Sequence, residues 1–121
     1  MKNLLLKPAE VTVAGAIWIE DRSGSDRFLG KGRIQLLQLI IEEGSISKAA
    51  KSMDMSYKRA WDLINSMNSQ AAKPFVITKT GGKSGGGASV TNEGIQAIEE
   101  YLALQKRFHD FLNQENTRLF V

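Results

Sequence analysis

The stretch Ser45–Asn68, SISKAAKSMDMSYKRAWDLINSMN, constrains the fold of this chain more than any other. Ser45 is a good N-cap for a short helix over about Ile46–Met53, because a serine hydroxyl accepts a hydrogen bond from a first-turn amide. Asp54 and Met55 leave room only for a tight turn, and Ser56 then caps a second helix over about Tyr57–Ser69. Ala49 and Ala50 in the first helix and Ala60 in the second let the two backbones approach. A short helix, a tight turn and a second helix with small residues at the crossing make a helix-turn-helix. The turn usually carries Gly; Asp54 stands there instead, and Asp tolerates left-handed backbone better than most residues.

On a wheel of ~100° per residue, Ala60, Leu63, Ile64 and Met67 of the second helix fall together as a core face. Lys58, Asp62, Asn65 and Ser69 fall opposite, with Arg59 and Ser66 beside them and Tyr57 and Trp61 between the faces. Such a face suits the major groove, where Lys or Arg donates to guanine and Asn pairs with adenine. Asp62 is the awkward member, since phosphate repels it; it orients Lys58 or Arg59 as a helical neighbour, or accepts from cytosine. By itself the wheel describes an ordinary solvated amphipathic helix equally well.

The flanking segments supply the context. Val11, Val13, Gly15, Ile17 and Ile19 alternate with Thr12, Ala14, Ala16, Trp18 and Glu20, the period of a strand with one buried face. DRSGSD (Asp21–Asp26) is a turn cluster, and Arg27–Leu29 is a short return strand completing an N-terminal hairpin. Ile34, Leu36, Leu37, Leu39, Ile40 and Ile41 form a dense apolar helix, preceded by Gly32 and closed by Glu42, Glu43 and a left-handed Gly44. Ala71–Pro74 breaks the chain after the second short helix. Phe75–Thr78 and Ala88–Val90 are strands, and Thr91 or Asn92 caps a last helix running to about Asn116. The expected organisation is one domain, 1–121: hairpin over 1–30, three-helix core over 33–69, a two-stranded wing over 75–91 and the final helix over 92–116.

Between the last two strands lies GGKSGGG, Gly81–Gly87, whose Gly-Lys-Ser is the tail of a phosphate-binding P-loop. That motif needs its first glycine six residues before the lysine and a helix directly after it. Position 77 is Ile77, and the residues after Ser84 are glycines leading into a strand, so nucleotide binding is set aside. A hairpin tip that uses glycine for its positive φ angles remains. Lys79, Lys83, Thr80 and Ser84 make it a thin basic tip able to follow phosphates or enter a minor groove. A solvated loop is the plainer alternative.

Composition narrows the function classes. The chain has 121 residues, no cysteine, a single histidine (His109) and a net charge of +3. Disulfides, cysteine-zinc sites and thiol catalysis are excluded, and no stretch approaches the ~20 apolar residues of a membrane helix. With no acid pair at catalytic spacing, an enzyme is not expected, nor a cofactor or metal.

GSISKAAKSMDMSYKRAWDLINSMN followed by TGGKSGGGASVTNEG resembles the N-terminal DNA-binding domain of the ModE family of molybdate-responsive regulators, over about Gly32–Phe111. The resemblance implies a winged helix of the LysR type, α+β in class. Tyr57, Lys58 and Arg59 would open the recognition helix, Lys79–Gly87 would form the wing, and the last helix would pair two subunits. Full-length members carry C-terminal molybdate-binding domains; the expectation for this chain is the DNA-binding domain without them.

In the last helix Ile95, Ile98, Leu102, Phe108 and Leu112 recur at helical spacing, more large apolar residues than a terminal helix buries on its own body. The expected dimer interface is therefore Ile95, Ile98, Tyr101, Leu102, Gln105, Phe108 and Leu112, with packing against the N-terminal hairpin as the alternative. The expected function is a cytoplasmic, homodimeric, sequence-specific transcriptional regulator that binds double-stranded DNA and no membrane. Its expected DNA contacts are Ser45, Ser47, Lys48, Ser56, Tyr57, Lys58, Arg59, Asp62, Asn65, Lys79, Thr80, Lys83 and Ser84. An oxyanion-sensing module, or an interaction module that keeps the fold, is the rival. No small-molecule effector is named.

Overall fold

The computed structural model describes residues 1–79 and 87–121. The described chain is mixed α+β, a winged-helix-like arrangement of four α-helices and two small antiparallel hairpins. It divides into a unit of residues 18–101 and a unit of residues 1–17 with 102–121.

In the larger unit, α1 (Lys31–Glu43) starts at an extended Gly30 and stops at Gly44, whose φ of 68° is left-handed. Gly32, expected just ahead of this helix, is its second residue: the helix begins a turn before the apolar run that forms its buried side. Two short helices joined by a tight turn follow, where the sequence places them. In α2 (Ile46–Ser52) the Ser45 hydroxyl accepts from the Lys48 amide at 3.2 Å, and in α3 (Tyr57–Gln70) the Ser56 hydroxyl accepts from the Arg59 amide at 3.0 Å. Between them Asp54 has φ 57°, the positive-φ position the tight turn requires. Leu36, Leu37, Ile40, Ala49, Ala60, Ile64 and Met67 are fully buried and join the three helices in one core.

The hairpins differ in how closely they follow the pattern. Strand β1 is only Ile19–Glu20, paired with β2 (Arg27–Leu29) through Ile19↔Leu29 and Glu20↔Arg27. The turn between them is organised by the Asp21 carboxylate, which accepts from the Ser23 and Ser25 hydroxyls, each at 2.8 Å, and is held below the usual carboxylate range chiefly by the Ser25 hydroxyl. The longer strand expected over Val11–Glu20 is not formed: residues 11–18 join no ladder. Alternation selects a face, but a ladder also needs a partner edge, and β2 ends after three residues.

The second hairpin, β3 (Val76–Lys79) with β4 (Gly87–Val90), pairs Val76↔Val90, Ile77↔Ser89, Thr78↔Ala88 and Lys79↔Gly87. A two-stranded ribbon is marginal alone, and this one is fastened at its base. The Ala88 amide donates to the Gly44 carbonyl at 3.1 Å, tying β4 to the turn between α1 and α2.

The Thr91-x-x-Gly94 sequence has a structural reason. The Thr91 amide donates to the Phe75 carbonyl at 2.9 Å, its hydroxyl donates to the Pro74 carbonyl at 2.7 Å, and the same hydroxyl caps α4 (Asn92–Phe120) by accepting from the Gly94 amide at 3.1 Å. A Cβ on Gly94 would lie 2.7 Å from the Phe75 carbonyl oxygen and 2.5 Å from Val90 Cγ1, so only glycine fits. The helix runs one turn past the expected end at Asn116.

In the smaller unit, Asn116 Oδ1 accepts from the Val13 amide and the Thr12 hydroxyl, and the Phe108 ring lies close over Gly15. Among the described residues no helix is long and apolar enough to cross a membrane.

Gly94→Ala is expected to destabilise the protein by about 1–3 kcal/mol through overpacking against fixed backbone. Gly32→Ala, with nothing within 4 Å of its added Cβ, should be neutral or stabilising. Urea unfolding of the two variants side by side checks the contrast.

Candidate nucleic-acid interface

Burial of α3 follows its period. Ala60, Leu63, Ile64 and Met67 are in the core, and Lys58, Arg59, Asp62, Asn65 and Ser69 are exposed on the other side. Lys58 Nζ sits 3.0 Å from Asp62 Oδ2, an exposed pair one turn apart. Asp62 is thus presented with a cation rather than as a lone carboxylate, although an exposed i,i+4 pair contributes only about 0.3–0.5 kcal/mol. The Tyr57 and Trp61 rings meet edge to face at 6.1 Å; Tyr57 is 54% exposed and Trp61 is half-buried.

A cleft of about 200 Å³ lies where the starts of α2 and α3 meet the Thr78↔Ala88 and Lys79↔Gly87 rungs of the β3–β4 hairpin. Ser45, Ser47, Tyr57, Thr78, Lys79 and Gly87 line it, so four of the expected contact residues (Ser45, Ser47, Tyr57 and Lys79) share one depression. Ser56 and Lys48 are exposed at the first turns of their helices. Thr80, Lys83 and Ser84 lie outside the described residues.

Two polar arrangements beside this face are not evident in the sequence pattern. Asn68 clamps β3 to α3: its Nδ2 donates to the Val76 carbonyl at 3.0 Å, and its Oδ1 accepts from the Phe75 and Val76 amides at 2.8 and 3.3 Å. Ser66, expected beside the groove-facing side, instead accepts from Arg33 Nη1 at 2.8 Å. Arg33 also donates to the Arg27 carbonyl at 2.6 Å and lies 3.8 Å from Asp26, while Gln70 donates to the same Arg27 carbonyl at 2.8 Å. Burial holds the Arg33 guanidinium below its usual range; Asp26 opposes this, and Arg59 and Arg27 add to it. The one advance signal was the spacing of cations in RFLGKGR, Arg27–Arg33.

The residues expected to pair two subunits divide by burial. Ile98 and Tyr101 are 7% and 2% exposed, within the chain's own core, whereas Ile95 and Leu102 are 40% and 41% exposed. Gln105, Phe108 and Leu112 are half-buried, and Phe111, outside the expected set, is 53% exposed.

The fold and this exposed helical face define a winged-helix-like α+β chain with a basic, donor-rich surface. Over about three quarters of its length it is a homologue of molybdenum-related bacterial proteins. It is 42% identical over 91 residues to the molybdenum transport protein ModE of Azotobacter vinelandii, covering 75% of this chain and 34% of that protein. It is 41% identical over 92 residues to the DNA-binding transcriptional dual regulator ModE of Escherichia coli (strain K12), covering 74% and 35%. It is 44% identical over 77 residues to the molybdenum-pterin-binding protein MopB of Rhodobacter capsulatus, covering 64% and 28%. The chain thus spans about a third of the length of the curated relatives it matches. No protein-family model matches it.

Asn68→Ala should cost roughly 1–3 kcal/mol, because the Phe75 and Val76 backbone groups lose their partner. Asn68→Asp keeps the acceptor but turns a carboxylate oxygen toward the Val76 carbonyl, so it should not recover the loss. Equilibrium unfolding monitored by tryptophan fluorescence measures both.

Proposed function

We propose that this chain is a sequence-specific DNA-binding transcriptional regulator of the ModE family, equivalent to that family's N-terminal DNA-binding domain and acting in the cytoplasm as a homodimer. It is not an enzyme on this reading. The observation that carries it is the solvent face of α3, where Lys58, Arg59 and Asn65 project opposite a fully formed core face. A helix held this way, with its N-terminal turns exposed, is suited to enter a major groove. Lys58 or Arg59 would donate to guanine, Asn65 would pair with adenine, and Asp62 would hold Lys58 in place.

The shared depression of Ser45, Ser47, Tyr57 and Lys79 supports a phosphate contact running from α2 to the wing. Lys48 and Ser56 flank it on exposed first turns, and Thr80, Lys83 and Ser84, outside the described residues, are proposed as DNA contacts on their chemistry alone. The names of relatives that are transcriptional regulators support the same reading. Pairing through α4 would use the expected residues Ile95, Leu102, Gln105, Phe108 and Leu112, of which Ile95 and Leu102 are exposed. Ile98 and Tyr101, also expected to pair subunits, are buried in the chain's own core. Two copies would then offer two recognition helices to a two-fold-symmetric site.

Selection of random-sequence duplexes by mobility shift tests this directly: an enriched symmetric motif is the expected result, and binding without enrichment excludes sequence-specific regulation. Arg59→Ala should cost about 1–3 kcal/mol on the selected site and relax one base position. An equal loss on every sequence would make it a phosphate contact. Leu102→Glu should shift the protein toward monomer in sedimentation velocity and weaken binding to the symmetric site more than to a half-site.

A further inference from the structure

A second basic cleft lies beside the one already described, on the other flank of α3. It has a volume of about 320 Å³ and is walled by Arg27, Lys31, Arg33 and Arg59, with Met55 and Leu63 among its apolar lining. The four cations come from three elements: Arg27 from β2, Lys31 and Arg33 from the first turn of α1, and Arg59 from the first turns of α3. Asp26, 3.8 Å from Arg33, is the carboxylate that pairs with this group. Like charges brought together in a partly apolar cleft repel one another and focus a positive field. Side-chain contacts fix two of them nonetheless. The Arg27 guanidinium lies 4.4 Å from the centre of the Trp18 ring, and Arg33, with its side chain 14% exposed, is held by Ser66 and the Arg27 carbonyl. Among the described residues, the Lys31 and Arg59 side chains make no hydrogen bond or ion pair of their own. Two anchored cations and the uncommitted Lys31 therefore converge on one opening, and Arg59, proposed above to read a base, is not counted among the phosphate ligands.

We infer that this cleft is a binding site for a phosphate group, occupied by a backbone phosphate of DNA flanking the bases that α3 reads. The assignment rests on the DNA-binding function proposed above. Its chemistry is charge-assisted donation from guanidinium and ammonium groups to phosphate oxygens. It extends the interface beyond the helix-turn-helix and the wing to the start of α1. Neutralising a phosphate with a cation releases condensed counterions, so each such contact leaves its mark on the salt dependence of binding.

Lys31 is the residue to change, because it is exposed, has no structural partner among the described residues and lies outside α3. Lys31→Ala should leave the melting temperature unchanged and weaken binding equally on all duplex sequences. It should also lower the magnitude of the slope of log K against log salt by about one, so that the wild-type advantage shrinks about 3.5-fold between 50 and 200 mM salt. A parallel arm melts the DNA-free wild type and Lys31→Ala in sodium phosphate and in sodium chloride of equal ionic strength. An unchanged slope together with phosphate-specific stabilisation of the wild type alone would make free phosphate the ligand of the cleft and overturn its use by DNA. An unchanged slope with no phosphate effect would overturn the site altogether. If the wild type binds no duplex at any salt, the regulator function fails, and the melting arm alone decides the cleft: stabilisation of the wild type supports a phosphate site, and its absence overturns it.

Discussion

The backbone of Phe75 is the node on which the arrangement of this protein depends. Its amide donates to Asn68 of α3, and its carbonyl accepts from Thr91 at the start of α4. Its Cα and carbonyl leave no room for a side chain at Gly94, while its own ring, buried in the core, meets Phe28 at 5.4 Å. One residue thus joins α3, both hairpins and α4. Buried amides and carbonyls must find partners, and here each partner comes from a different element, so displacing any one of them strands a polar group of another. No buried side-chain nitrogen or oxygen among the described residues lacks a partner.

Electrostatics is layered on this frame. The chain carries only a small excess of positive charge, yet the fold brings four of its sixteen cations to the two flanks of α3: Lys79 beside the start of α2, and Arg27, Lys31 and Arg33 beside the start of α1. A modest net charge becomes a local field when the acids are paired or placed elsewhere. Asp62 is taken up by Lys58 and Asp26 by Arg33, leaving Arg59 without a carboxylate of its own. That distribution is a statement about partners that overall composition does not make.

Local signals were legible in the sequence, and long-range ones were not. Ser45, Ser56, Gly44 and Asp54 announce caps and turns because their chemistry acts on residues one to three positions away. The inner face of α3 follows from its period alone. Residues 11–18 carry a strand's alternation but no ladder: the short return strand Arg27–Leu29 was legible, and its three residues pair only with Ile19 and Glu20. Ser66 and Asn68 look like any polar helix residues, and only the fold shows that one meets Arg33, 33 positions away, and that the other turns back on Phe75 just beyond the end of its own helix. Ile98 and Tyr101 belong to the same apolar stripe as Ile95 and Leu102; which side of a helix turns inward is decided by what packs against it. The site residues were therefore readable as types on a helix, and their grouping into two clefts was not.

The fastening of the β3–β4 hairpin has a consequence for recognition that lies in entropy rather than contact. Gly44, Asn68 and Thr91 hold its base from three directions before any ligand arrives. Ordering a free ribbon on a partner would consume part of the interaction energy, residue by residue. Here part of that cost is met during folding, and Lys79 and Gly87, the rung farthest from the base, line one cleft with the starts of α2 and α3. Whatever the wing meets, its base acts as a preformed edge, and the energy gained there goes to affinity.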